Sequence, residues 1–295
     1  MTVVELPAPD LTAATVPVSR QRVLRRLLRN PLAVAGFVVV LTAVGAALLA
    51  DAVAPYRYAE TDFGAALQPP SGAHWFGTDY LGRDQFSWVR YGLRASILVG
   101  AMAVGMSMIV GVLLGLLAGY YGWLDPIVSR LTDTLLAFPF LILAVGLAAI
   151  LGPSLTTATI AIGVAQIPAV VRVTRGETLR LRGMDYVAAA VADGASDAVV
   201  LGRHILPNAV STLIVQATVA APMAIIGEAV LSFLGLGVRP PTPSLGIMLA
   251  SAQPFFRDGP WMAVFPGVAI VLLTLALNLV GDGLRDAFDP QESRR

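Results

Sequence analysis

Six stretches of the chain are apolar for too long to suit an ordinary soluble domain, and polar segments of unequal length separate them. They cover residues 32–54, 95–121, 132–151, 155–173, 210–234 and 261–280. Each reaches the roughly 18–20 residues that a helix needs to cross about 30 Å of hydrocarbon. The pattern predicts an all-α, polytopic membrane protein with six transmembrane helices. Residues 122–126 (Gly-Trp-Leu-Asp-Pro) and Gly152-Pro153-Ser154 make short turns. Three separators are longer: 56–91, 175–207 and 235–260. Residues 1–19 are rich in Pro, Ala, Thr and Val without helical period, which predicts a disordered tail. A basic cluster follows, Arg20, Arg22, Arg25, Arg26 and Arg29, before Pro31 opens the first run. A signal peptide carries an apolar core of only about 7–15 residues, so this longer run reads as an uncleaved first span.

Composition agrees. Of 295 residues, 56% are hydrophobic and 13% charged, against about 25% charged in soluble domains. The net charge of +1 says nothing about partners. There is no cysteine, which excludes disulfides, thiol catalysis and thiolate metal sites. There is also no lysine, so every basic side chain is arginine. A GC-rich genome would produce the same bias. Without lysine there is neither a Walker A phosphate loop nor Schiff-base chemistry; if ATP is used, another chain must bind it.

The arginines are distributed unevenly about the six spans. One side holds the five N-terminal arginines with Arg130, Arg172, Arg175, Arg180, Arg182, Arg203, Arg285, Arg294 and Arg295, and the other holds Arg57, Arg83, Arg90, Arg94, Arg239 and Arg257. That is 14 against 6, and the richer side is expected to be cytoplasmic. Both termini and segment 175–207 then face the cytoplasm, and the loops 56–91 and 235–260 face out.

Segment 175–207 carries the densest chemistry. The alanines of Asp185–Ala192 favour helix. Gly194 permits the left-handed conformation that ends one, and Ser196 or Asp197 can cap a second helix, expected to stop before Pro207. Two short helices joined at a glycine form an elbow that could dock in a groove on another protein, with Tyr186 as an aromatic anchor. An amphipathic connector lying on the membrane surface fits the same residues.

Other polar positions carry less. Glu228 is a lone carboxylate in the fifth span. At about 1.5 Å per residue it lies roughly 27 Å along that span, near the outer boundary and near water, and it suits either a structural or a pathway role. His74 and His204 fall on opposite sides of the membrane and cannot share a metal. Asp79 and Asp84 are expected to bond Gly N–H groups and Arg83 rather than a cation. Gly111, Gly115 and Gly119 recur every four residues, the small-residue pattern for close helix packing.

Several runs together resemble a known family. Asp185-Tyr186-Val187-Ala188-Ala189-Ala190, Gly194-Ala195-Ser196-Asp197 and Arg203-His204-Ile205-Leu206-Pro207-Asn208 resemble the EAA loop of permease subunits of ABC importers. His74 through Asp79, Leu81 through Asp84, Tyr91 through Ser96, Glu228 through Gly237 with Pro240 through Gly246, and Asn278 through Asp286 are similar to the C-type permease of dipeptide and oligopeptide importers. The resemblance implies a type I importer core of five spans plus one N-terminal helix. It also implies that Tyr186, Ala188, Ala189, Ala190, Gly194, His204, Leu206 and Pro207 form a coupling helix for an ATPase. The family often has an acidic residue at Ala188 and a basic one at Val191, so docking here would lean on shape and backbone contacts.

The organisation implied is a basic or disordered cytoplasmic tail over 1–30, the first helix and outer loop over 31–94, the transport domain over 95–282 with its coupling loop at 175–207, and a tail over 283–295. The implied function is half of a peptide pathway across the bacterial cytoplasmic membrane. Nickel and glutathione importers share the pattern. The implied partners are a second permease, one or two ATPase subunits carrying ATP and Mg, an extracytoplasmic binding protein and the bilayer, with no nucleic acid. No cofactor, metal or catalytic residue is expected on this chain. An ion-coupled secondary transporter would need ionisable groups near the midplane, where the spans offer only Glu228. An intramembrane hydrolase would need a histidine in a span, and none has one.

Overall fold

A computed structural model describes residues 20–288. The disordered tail expected over 1–19 lies outside the described residues. The basic cluster, grouped by the sequence reading with that tail, is a ten-residue helix, α1 (Arg20–Arg29). The Asn30 side chain accepts the N–H groups of Leu32 and Ala33, at 3.1 and 3.2 Å. With Pro31 in the first turn, α2 (Pro31–Leu48) therefore starts sharply. A short α3 (Ala50–Val53) leads into the first long loop.

The second span is α4 (Gln85–Tyr120), 36 residues long. It begins ten residues before the apolar run, because Asp84 caps it by accepting the Ser87 N–H at 2.8 Å. At about 54 Å it exceeds the hydrocarbon thickness and its polar first turns project beyond it.

The expected continuous helix over 132–151 is broken. It consists of α5 (Asp125–Leu136) and α6 (Phe140–Leu151), bent by 91°. Pro139 accounts for the break, since it lacks an N–H and its ring clashes with a preceding helical turn. α6 alone spans about 18 Å, so the third span exists only if the bent pair counts as one, which brings the candidate spans to six. The other five candidate spans among the described residues are continuous.

α7 (Leu155–Arg182) is capped by Ser154, whose hydroxyl accepts the Thr157 N–H at 3.0 Å, and it runs well past the apolar stretch. Next come α8 (Asp185–Ala192), α9 (Asp197–Val199), a π-helical turn Val200–Ile205, and α10 (Leu206–Phe233). The second long loop is not irregular throughout, as it folds α11 (Leu245–Ala252) before α12 (Trp261–Phe288).

α4 and α7 make the closest helix pair. An added Cβ on Gly111, Gly115 or Gly119 would lie 2.6, 2.5 or 2.6 Å from the Cβ of Val170, Thr174 or Thr178. The glycine stripe thus lets two backbones approach within this one subunit. Three apolar clusters stack along the bundle. Trp88, Leu93, Leu245 and Met248 form one end, Val99, Ile162 and Leu231 the middle, and Leu116, Leu181, Val187, Val200, Ile205 and Leu213 the other end.

Candidate coupling elbow and buried carboxylate

α8 and α9 form the elbow, and one side chain roots α8. Val187 is 2% exposed and sits among Leu116, Leu181, Val200, Ile205 and Ala209. The other faces of α8 point away from the bundle. Tyr186 and Val191 are 41% and 52% exposed, Ala188 and Ala189 are exposed, and Ala190 is half-buried. The phenol of Tyr186 donates to the His204 carbonyl at 3.4 Å, and Asn208 Nδ2 donates to the same oxygen at 2.6 Å.

Gly194 has φ +83°. The Ala195 N–H bonds Ala190 O and the Gly194 N–H bonds Val191 O, both at 3.0 Å. These are the two bonds of a Schellman ending, in which the left-handed residue lets α8 close on its own last carbonyls. A Cβ on Gly194 would meet nothing within 4 Å. The position is therefore restricted by its dihedral angle and not by crowding.

The second half of the elbow departs from expectation twice. Ser196 occupies the N-cap position of α9 but makes no side-chain capping bond. Asp197 instead accepts the Tyr120 hydroxyl at 2.8 Å, and the Arg182 guanidinium lies 5.6 Å from the Tyr120 ring. The ends of α4, α7 and α9 are tied there. Nor does the helical path stop before Pro207, which stands in the first turn of α10. The preceding π turn shifts the hydrogen-bond register, and a proline is tolerated in a first turn where its missing N–H has no intrahelical partner. Within this segment His204 and Leu206 are half-buried and Pro207 is exposed. Beside the elbow, Arg175 of α7 makes a two-point ion pair with Asp125 of α5, with Nη2 donating to Oδ2 at 2.7 Å.

Glu228 is not near water as expected; it is 0% exposed. Ser96 of α4 donates to Oε2 at 2.5 Å and Ser232 to Oε1 at 2.7 Å. The Ser232 oxygen also accepts the Val238 N–H at 3.2 Å. Helix α11, packed on α4 and α10, closes over this end of the bundle. The carboxylate links α4, α10 and the chain leaving α10, and it touches neither solvent nor a groove. Ser96 and Ser232 stood in the family-like runs. The i,i+4 spacing of Glu228 and Ser232 on one helix face was a local signal for their contact, but nothing in the sequence aimed Ser96, 132 positions away, at Glu228.

In the first loop Asp79 accepts the Leu81 and Arg83 N–H groups at 2.8 and 2.9 Å and Arg83 Nε at 2.6 Å. The expected Arg83 partner is present. The Gly82 N–H bonds the Asp79 backbone carbonyl instead of its side chain. Asp84, besides capping α4, lies 2.9 Å from His74 Nδ1. Among the described residues no group of His, Cys, Asp and Glu is arranged to hold a metal.

Residues 111–294 match the family described as the binding-protein-dependent transport system inner membrane component. The chain belongs to that family. Residues 20–70 match the N-terminal TM domain of oligopeptide transport permease C. The chain is 44% identical over 268 residues to the dipeptide transport system permease protein of Alkalihalophilus pseudofirmus, covering 90% of this chain and 88% of that one. It is 45% identical to the di/tripeptide transport system permease protein of Pseudomonas aeruginosa, covering 89% of each. It is 44% identical to the glutathione transport system permease protein of Pectobacterium atrosepticum, covering 94% and 96%. As a member of this family the chain is a multi-pass membrane permease subunit, and the elbow lies inside the matched family region.

Proposed function

We propose that the chain forms one half of the translocation pathway of an ATP-driven importer of short peptides, with a homologous permease as the other half. End-to-end likeness to dipeptide and di/tripeptide permeases carries this reading. α8 is the docking element for an ATPase subunit. An exposed tyrosine and exposed alanines on a rooted, glycine-closed helix suit a groove that accepts a small-faced helix. With Ala188 and Val191 in place of charges, docking leans on shape. ATP binding closes the ATPases, the elbows move with them, and the permease halves open outward; hydrolysis resets the cycle. An extracytoplasmic binding protein delivers the peptide. Glutathione, itself a modified tripeptide, is the second substrate reading, favoured by the equal identity to a glutathione permease.

Purification of the intact complex tests both parts. ATPase subunits are expected to co-purify, and mass spectrometry of the receptor subunit's ligand is expected to find short peptides. Glutathione as the sole ligand would select the second reading, and purification without any ATPase would refute the first part.

The elbow end of the bundle faces the cytoplasm, on the arginine asymmetry. In intact cells an impermeant thiol reagent is expected to label Ala73→Cys and to spare Ala195→Cys. The reverse pattern, or equal labelling, would invert or refute the orientation.

A further inference from the structure

Over α10, at the elbow end, α7 and α12 stand apart and leave an open groove of about 440 Å³. Val173 lines it from α7, Ser211, Thr212, Val215, Gln216 and Val219 from α10, and Arg285 and Phe288 from α12. Gly281 of α12 faces Thr218 of α10, an added Cβ lying 3.0 Å from the threonine oxygen. Arg285, one turn further along α12, is therefore level with the first turns of α10.

Ser211, Thr212, Gln216 and Arg285 make no side-chain hydrogen bond or ion pair among the described residues. Polar side chains in a membrane segment face a bundle interior or a water-filled cavity, because hydrocarbon leaves them unsatisfied. A lipid acyl chain filling the groove would lie directly on the Gln216 amide, about 15 Å along α10 from its start. Water, or a solute rich in amides, would satisfy it.

Resting on the peptide-import reading, we infer that this groove is a wet segment of the substrate path and that Arg285 attracts the carboxylate of the passing peptide. A short peptide presents amide groups suited to Gln216, Thr212 and Ser211, and a terminal carboxylate that matches a guanidinium in two-point geometry. Arg285 is the one charged residue among those lining the groove.

The chain's lack of cysteine makes the test clean. In the intact complex in membranes, Gln216→Cys is treated with small water-soluble thiol reagents of equal size and opposite charge. It is expected to react, and the anionic reagent is expected to react about tenfold faster, as a fixed charge within several ångströms implies. Arg285→Gln is expected to bring that ratio close to one, and Arg285→Lys to keep most of it. Saturating dipeptide with its receptor is expected to slow the anionic reagent. Ile109→Cys, on an exposed apolar position of α4 outside the groove, supplies the reference. Reaction of Gln216→Cys no faster than that reference would overturn the wet groove. A charge ratio indifferent to Arg285 would overturn its role. A complex that shows the full labelling pattern yet accumulates no peptide would keep the groove and refute the peptide reading.

Discussion

Gly115→Leu is expected to remove the folded subunit from the membrane almost completely. A Cβ there would stand 2.5 Å from Thr174 Cβ, 2.9 Å from the Val171 carbonyl oxygen and 3.0 Å from the Arg175 nitrogen. Two of these neighbours are backbone atoms of α7 and cannot rotate away. Overpacking commonly costs about 1–3 kcal/mol and occasionally more. Here relief requires moving α7 off α4, which also disturbs the Asp125–Arg175 pair and the cluster around Leu181. About 3 kcal/mol corresponds to more than a hundredfold shift in the folding equilibrium. Gly105→Leu on the same helix is the control, because its Cβ would meet nothing within 4 Å. Protease-resistant subunit per cell, read by immunoblot, is expected to fall below about a tenth of the parent for Gly115→Leu and to stay near the parent for Gly105→Leu. Equal levels for the two would mean that α4 and α7 do not pack as described.

The second large effect concerns the elbow. Gly194→Val places a branched residue at φ +83°, where the backbone strain is about 1–3 kcal/mol. Tyr186→Ala removes an exposed ring, and an aromatic anchor at a docking hot spot is worth about 2 kcal/mol or more. Combined, these predict ATPase association weakened by roughly a hundredfold or more. Membrane level is expected to be little changed, since neither side chain belongs to the buried clusters and no neighbour stands near Gly194. Pull-down of the ATPase from solubilised membranes, normalised to subunit level, reads the loss. Undiminished association in the double variant would reduce the elbow to a connector.

How much the sequence disclosed depended on the range of the interactions involved. The apolar runs located the continuous spans because burial in lipid depends on composition summed over about 20 residues. The ending of α8 at Gly194 was legible because a left-handed turn is a local demand on one residue. The glycine stripe was legible for a similar reason, since its period marks one helix face.

Of what escaped, two features were local and two depended on contacts distant in sequence. The break at Pro139 was hidden inside a run whose average hydropathy looked continuous. The proline at 207 was read as a helix stop because nothing local shows that a π turn will shift the register ahead of it. Glu228 was placed near water from its depth along the span alone. Its enclosure depends on Ser96, 132 positions earlier, and on α11, which a loop-like composition concealed. Asp197 looked like a helix cap; its actual partner, Tyr120, is 77 positions away.

On the proposed function, this permease moves short peptides with energy delivered through the elbow. Proteoliposomes holding the purified complex, with receptor and labelled dipeptide outside and ATP with Mg within, test it most directly. Accumulation of dipeptide is expected to require both ATP and receptor and to be lost in the Gly194→Val, Tyr186→Ala double variant. Accumulation driven by an ion gradient without ATP, or full ATP-driven accumulation in the double variant, would contradict it.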